Sequence, residues 1–509
     1  MDAKLDSNKQ IKLGAVMSYV AILFNIVAGL IYTPWMIHRI GQSEYGLYTL
    51  AITVISFFTM DFGLGEAVSR FMSRYNAEGN KEKASDFLGI TFKLYIIIDI
   101  LILVALLFLL IFIDSIYKEL TPTELYQFKV VFSIAAIYSI ASFPFMPLNG
   151  ILISNERFAF LKLANLLHKV FTVFTMVIVL VLGYKLYALV TVNAVTGLLL
   201  IAFKLSYIQK SKLISVNFKA NDKDILKSIF SYSVWTTIIV TSQRFIMNIT
   251  PTVLGAFAGS VQISLFAIAM TIEAYVWTFA NALNGLFLPK VSRITIDNKN
   301  PVEVENLMIK VGRIQLIMIG LLIVGFLTMG KEFMVLWLGD SFRESYYIAM
   351  LLIGTGIITL TQSIGSTTLI ALNEIKYRAF CALTAAGISF SLSIVLSQIY
   401  GALGSGLAIF AGGLIGYVIG MNIVYHKVLE INVMRFFKEC HFKMAIPLIL
   451  TCIAGYAMQY YLPVNSLGLF LVKASVLGCL YLILMWFMAF NQFEKGLFME
   501  VFLKVRSIV

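Results

Sequence analysis

Uninterrupted apolar runs of about 20 residues recur from Leu13 to Phe490, and nothing else in the chain constrains its folding as strongly. Each run is long enough to cross a bilayer core of about 30 Å as a helix. Lipid offers backbone groups no hydrogen-bond partners, so such runs must close their own bonds as helices or as a sealed barrel. The apolar residues are continuous rather than alternating, which selects helices. Fourteen spans follow: 13–36, 46–69, 87–113, 127–154, 159–182, 186–208, 228–256, 261–288, 306–329, 346–371, 378–399, 402–425, 443–461 and 467–490. The loops between them are short, so the 509 residues hold no soluble domain, although length alone suggests about three. The expected class is all-α, a polytopic membrane protein of about 14 transmembrane helices.

The charges orient these spans. Only 13% of residues are charged, and the formal net charge is +12. With the N-terminus in the cytoplasm, about 29 of the 39 Lys and Arg residues fall at cytoplasmic ends or loops, among them Lys81, Lys83, Lys210, Lys212, Lys219 and Arg435. Arg39, Lys118, Lys129, Lys185, Lys331 and Arg343 fall outside. This bias fits the positive-inside rule and places both termini in the cytoplasm. The basic excess is therefore a topology signal that also suits anionic lipid, and it gives no support to nucleic acid. Asp2 and Asp6 precede the first run and no small-residue cleavage site follows it, so that run is read as a retained span.

The two halves echo each other. Asn155-Glu156 closes span four and Asn373-Glu374 closes span ten, 218 residues later. Gly183 and Gly401 open turns at the same offset, as do Leu47-Tyr48 and Leu265-Phe266 at the starts of spans two and eight; Pro34 and Pro251 are 217 apart. The offset covers six spans, an even number, so both units enter the membrane in the same direction. Such parallel repeats are related by an axis along the membrane normal and hold substrate between them. The expected organisation is an N-lobe at 1–212 (spans 1–6) and a C-lobe at 213–430 (spans 7–12). Residues 431–509 add spans 13 and 14 and a cytoplasmic tail. A repeat that only builds a scaffold is the alternative.

Polar residues at helical spacing mark candidate cavity faces. Span seven carries Thr237, Thr241, Arg244 and Asn248; span eight carries Glu273, Trp277, Asn281 and Asn284; span five carries Asn165, Lys169 and Thr172. Interhelical hydrogen bonding is the plainer reading for positions with only Ser or Thr. Ionisable groups within a bilayer are costly and point to function. Arg244 and Lys169 suit an anionic head group, since guanidinium matches phosphate as a planar fork and ammonium acts as a point charge. Trp277, Asn281 and Asn284 suit sugars. Asp61, Asp99 and Glu273 are candidate counter-ions or coupling groups, and a static Arg244–Glu273 pair is the competing explanation. Lys473 sits in span fourteen, where the unpaired last two spans could form a lipid groove. Lys93, near an inner interface, is expected to snorkel. His168 is read as a packing residue ahead of a proton carrier.

No enzyme chemistry is visible. P-loop, HExxH and GxSxG patterns are absent from the sequence, and Cys381, Cys440, Cys452 and Cys479 show no metal or redox spacing. No cofactor or metal is expected.

The stretch Ile40-Gly-Gln-Ser-Glu-Tyr-Gly-Leu-Tyr-Thr-Leu-Ala51, then Asp61-Phe-Gly-Leu-Gly-Glu-Ala-Val-Ser-Arg70, resembles the opening of Wzx-type polysaccharide and O-antigen flippases. These belong to the multidrug/oligosaccharidyl-lipid/polysaccharide (MOP) exporter superfamily. Leu152-Ile-Ser-Asn-Glu-Arg157 is similar too, and spans in a six-plus-six-plus-two pattern cover the whole chain. The resemblance implies alternating access and a lipid-linked oligosaccharide substrate, carried on undecaprenyl pyrophosphate from the cytoplasmic to the outer leaflet of a bacterial inner membrane. It assigns no site residue. Polymer-assembly proteins are candidate partners, and a coupling ion (H+ or Na+) is left open. The alternatives are an ion-coupled drug or cation antiporter of the same superfamily and, more remotely, a membrane-embedded glycosyltransferase or polymerase.

Overall fold

The computed structural model describes residues 7–61, 63–284, 300–464, 466–496 and 499. Every described element is helical. Eleven described segments are long and apolar enough to cross a membrane. One of them, Ile375–Val428, has 54 residues. At 1.5 Å per residue that is about 80 Å, far beyond one bilayer core, and Gly401 breaks it with φ 57° and ψ −134°. It therefore supplies two spans. The multi-pass helical fold is consistent with fourteen spans.

In the first half, α1 is Ser7–Ile40, α2 Gln42–Phe58, α3 Leu64–Ala77, α4 Lys81–Ile116 and α5 Pro122–Ser142. Next come α6 (Pro147–Ser154), α7 (Phe158–Val181), α8 (Leu186–Lys210), α9 (Lys223–Phe257) and α10 (Ser260–Asn284). Helix starts are set locally. Asn80 accepts from Lys83 N at 3.0 Å to begin α4. Thr121 and Glu124 form a reciprocal capping box at α5, with Pro122 at its first position.

Among the described residues three spans read as continuous are broken, the third being span ten, interrupted at Thr355 and Gln362. Span two stops at Phe58 and resumes at Leu64 because Gly63 is left-handed at φ 71°, a conformation that favours glycine. Asp61 lies in this break: its Oδ1 accepts from Gly63 N at 3.2 Å and its Oδ2 from Gly65 N at 3.3 Å, satisfying backbone donors exposed by the interruption. Span four breaks at a 3-10 turn, Phe143–Phe145, where Pro144 and Pro147 each remove a backbone donor. Pro34 and Pro251, by contrast, lie inside the continuous helices α1 and α9.

The repeat is written in the turns. Gly41 (φ 93°) and Gly259 (φ 84°), Gly183 (φ 89°) and Gly401 (φ 57°), and Lys212 (φ 47°) and Glu430 (φ 55°) are left-handed at the 218-residue offset. Glu156 (φ 55°) and Asn373 (φ 61°) are left-handed 217 apart. Left-handed non-glycine residues are uncommon, so their recurrence marks a duplicated architecture. Asp61 and its break have no counterpart, because α10 runs on without interruption.

The chain divides into two compact units, Met1–Ala267 with Ile394–Ala402, and Ile268–Ser393 with Leu403–Val509. In the first, α1 packs on α7, α5 lies against α2 and α8, and α9 packs on α2. In the second, α11 (Pro301–Leu338) is the central helix, buried along its length through Leu307, Met308, Val311, Ile319 and Val324. After it come α12 (Ser345–Gly354), α13 (Gly356–Thr361), α14 (Ser363–Ala371), α15 (Ile375–Gly413), α16 (Met421–Val428) and α17 (Val433–Phe436), and α11 packs on two late helices, α18 (Lys443–Tyr461) and α19 (Leu467–Met488).

Candidate functional site

The most distinctive polar assembly lies inside the first unit, where α6, α7 and α8 meet. Lys204, in the last third of α8, is only 5% exposed. Its ammonium donates to Asn165 Oδ1 on α7 at 2.8 Å and to Asn149 Oδ1 on α6 at 3.0 Å. The two asparagines and Lys169, one turn beyond Asn165, are exposed on the unit's surface. His168 is half-buried beside them and its Nε2 has no partner. One turn further, Thr172 donates to Thr196 of α8 at 2.9 Å, closing the seam below the cluster.

Of the residues singled out from the sequence, Lys169 is thus in this cluster. Arg244 is exposed on α9 of the same unit, and one turn along Asn248 donates to Ser56 at 3.4 Å. Asp99 is 9% exposed on α4, with Oδ1 buried and lacking a partner. The same face of α4 carries Tyr95, whose hydroxyl is also buried without a partner. Asp61 is engaged with the α3 backbone, as described above. Lys93 reaches Ala220 O at 2.6 Å, fastening the loop before α9 rather than pointing its charge freely into water.

In the second unit, Glu273 and Trp277 are both partly exposed on one face of α10. The side chains of Asn281 and Asn284 lie outside the described residues. Lys473 is not a free cation. It is buried, donating to Glu332 at 2.8 Å and to Leu462 O at 3.2 Å. An open apolar depression of about 240 Å³ lies at the other end of α19, lined by Leu482, Ile483, Trp486, Phe487 and Phe490. The polar stripe of span ten supplies an interhelical bond, Gln362 Nε2 to Asn422 Oδ1 at 2.8 Å.

Sequence reasoning missed Lys204 and Arg313. Lys204 is six residues from the end of α8, which reads as an interfacial lysine. Arg313 is buried in α11, with Nε 2.6 Å from Glu494 Oε1. The absence of any acidic residue across α6, α7 and α8 was the available signal for the first. For Arg313, its partner is 181 residues away and no local pattern points to it.

A family model described as polysaccharide biosynthesis protein matches residues 12–296, more than half of the 509 residues. No curated protein matches significantly. Among solved structures, the fold is similar to lipid II flippase MurJ in an inward closed conformation, with TM-score 0.72 and 16% identity over 92% of this chain and 97% of that one. An inward-facing multidrug resistance MATE family transporter of the MOP superfamily gives TM-score 0.66 and 15% identity, covering 84% and 98% of the two chains. A MOP superfamily transporter from Pyrococcus furiosus gives 0.56 and 14%, covering 85% and 97%. At these identities the likeness is one of fold.

Proposed function

Because the chain belongs to the polysaccharide biosynthesis protein family and has the MOP superfamily fold, we propose that it is a flippase for a polyprenyl-pyrophosphate-linked oligosaccharide. It carries this lipid from the cytoplasmic to the outer leaflet of the bacterial inner membrane by alternating access, with both termini in the cytoplasm, and acts as a transporter rather than an enzyme. The observation that carries the reading is the duplication of left-handed turns at 217–218 residues, which supports two equivalent lobes, 1–212 and 213–430, able to rock about one site. Residues 431–509 are the added spans.

In this reading Lys169 and Arg244 attract the pyrophosphate, while Trp277, Asn281 and Asn284 meet the sugars. The tail rests in the apolar concavity at Leu482–Phe490. Lys473 then shapes the last span through Glu332 instead of touching the lipid. Asp99 and Glu273 are the coupling candidates, with Asp61 holding the α2–α3 break. The lipid II flippase among the structural neighbours supports a lipid-linked substrate. Cation antiport is the second reading, favoured by the buried, unpartnered carboxylate oxygen of Asp99.

The test is flipping of a fluorescent polyprenyl-pyrophosphate oligosaccharide by purified protein in liposomes, with and without a proton or sodium gradient. Protein-dependent flipping is expected. Folded protein that flips no lipid-linked sugar and exports organic cations would replace this reading with the antiporter.

A further inference from the structure

Lys204 presents an electrostatic imbalance. A buried cation normally has a carboxylate partner, because taking an ammonium out of water is costly unless charge compensates it. Lys204 is 5% exposed and has two amide oxygens instead. Among the described residues no carboxylate pairs with it. The helices that build its surroundings, α6, α7 and α8, contain no Asp or Glu, and neither does α1, which packs on α7.

The asparagines are oriented by the lysine. An ammonium has three donors and no acceptor, so only the carbonyl oxygen of each carboxamide can face it. The orientation of Asn149 and Asn165 is therefore set by chemistry. With both oxygens turned to Lys204, both NH2 groups are turned away from it, on side chains exposed at the unit's surface. Two of the ammonium's three N–H groups are used by these bonds, leaving one. Lys169 adds an exposed ammonium one turn from Asn165, and His168 adds a ring nitrogen without a partner. Donors and positive charge converge here, and none of the helices that build the cluster brings a carboxylate to it.

We propose that Lys204, Asn149 and Asn165, with Lys169 and His168 at the rim, form an anion cradle for a phosphate or pyrophosphate group. This deepens the flippase reading and rests on it, since the occupant it implies is the head group of the transported lipid. Lys204 sits about 9 Å from the cytoplasmic end of α8, at the depth where a lipid from the inner leaflet would first present its phosphates. The phosphate supplies the missing counter-charge: its oxygens accept from the remaining ammonium N–H and the carboxamide NH2 groups. Charge-assisted bonds of this kind are the strong ones.

Two variants separate ligand binding from folding. Asn165→Asp hands Lys204 an internal carboxylate, so the fold is kept while the site is neutralised. Lys204→Met removes the charge at similar volume. Full-length protein in nanodiscs is titrated with farnesyl pyrophosphate, farnesol and inorganic pyrophosphate, with thermal unfolding measured in parallel. The expected result is binding of farnesyl pyrophosphate by the native protein, weakened about tenfold or more by either variant, with farnesol binding unchanged and Asn165→Asp unfolding no lower than native. If inorganic pyrophosphate binds as tightly with the same dependence on Asn165 and Lys204, the cradle stands and its occupant is a free anion. Native-like affinity for farnesyl pyrophosphate in a folded Asn165→Asp overturns the cradle while leaving the flippase reading intact. No binding of any lipid pyrophosphate by folded native protein overturns both.

Discussion

Replacing Arg313 with Met should destabilise the second unit by about 3–5 kcal/mol, the range for breaking a buried ion pair by removing one partner. Arg313 is 5% exposed and its guanidinium makes four hydrogen bonds. Two run side by side to Glu494, at 2.6 and 2.9 Å, and the others reach Glu439 O at 2.8 Å and Ala489 O at 2.7 Å. Arg313→Met leaves a buried carboxylate with only the Asn491 N–H, at 2.9 Å, and two carbonyls without donors. Each orphaned carbonyl adds about 1 kcal/mol, and the uncompensated charge contributes the larger share. Glu494→Leu should cost a similar amount for the opposite charge. The double variant Arg313→Met/Glu494→Leu should cost much less than the sum, with a coupling of at least about 2 kcal/mol, because both desolvated charges then disappear together. Equilibrium unfolding in mixed micelles, followed by tryptophan fluorescence, measures all three. A single-variant loss below about 1 kcal/mol, or strict additivity, would refute the argument that this pair clamps the end of α19 to α11. Since Ala489 directly follows α19, the clamp also shapes the apolar concavity at Leu482–Phe490.

Lys473→Met should destabilise by about 3 kcal/mol, and Lys473→Met/Glu332→Leu should recover most of it with flipping retained; a stable double variant that cannot flip would return Lys473 to a transport role. Asp61→Ala should lower stability by about 1 kcal/mol through loss of its bonds to Gly63 and Gly65 N–H, and thermal unfolding at native values would contradict that structural role. Gly89→Ala places a Cβ 1.9 Å from Asn217 O, so the loop before α9 must lift from α4, and limited proteolysis near Lys219 should accelerate; an unchanged cleavage rate would count against the contact.

The spans and the 218-residue repeat were legible because both are local. A bilayer rejects any spanning segment that cannot satisfy its own backbone, so the requirement is written residue by residue in continuous apolar runs. The turns between them need left-handed residues, and Gly183 and Gly401 declare themselves by type. The break at Gly63 was less legible, because Asp61 reads as a mid-span charge until its carboxylate is seen accepting from the next turn's backbone. The polar stripes divided in the same way. Asn248 and Gln362 were spent on neighbouring helices, whereas Lys169 stayed exposed beside Lys204.

From its sequence alone this protein was bound to be a multi-pass helical membrane protein whose turns recur at a fixed offset, since apolar length and spacing are one-dimensional quantities. Only the tertiary structure decided which charges are matched. Lys204 meets Asn149 and Asn165 across 55 and 39 residues, and Arg313 meets Glu494 across 181. Electrostatic energy depends on separation in space and on exclusion of water, and neither follows from position along the chain. That is why one buried cation is neutralised by a carboxylate while the other is left with amide oxygens alone.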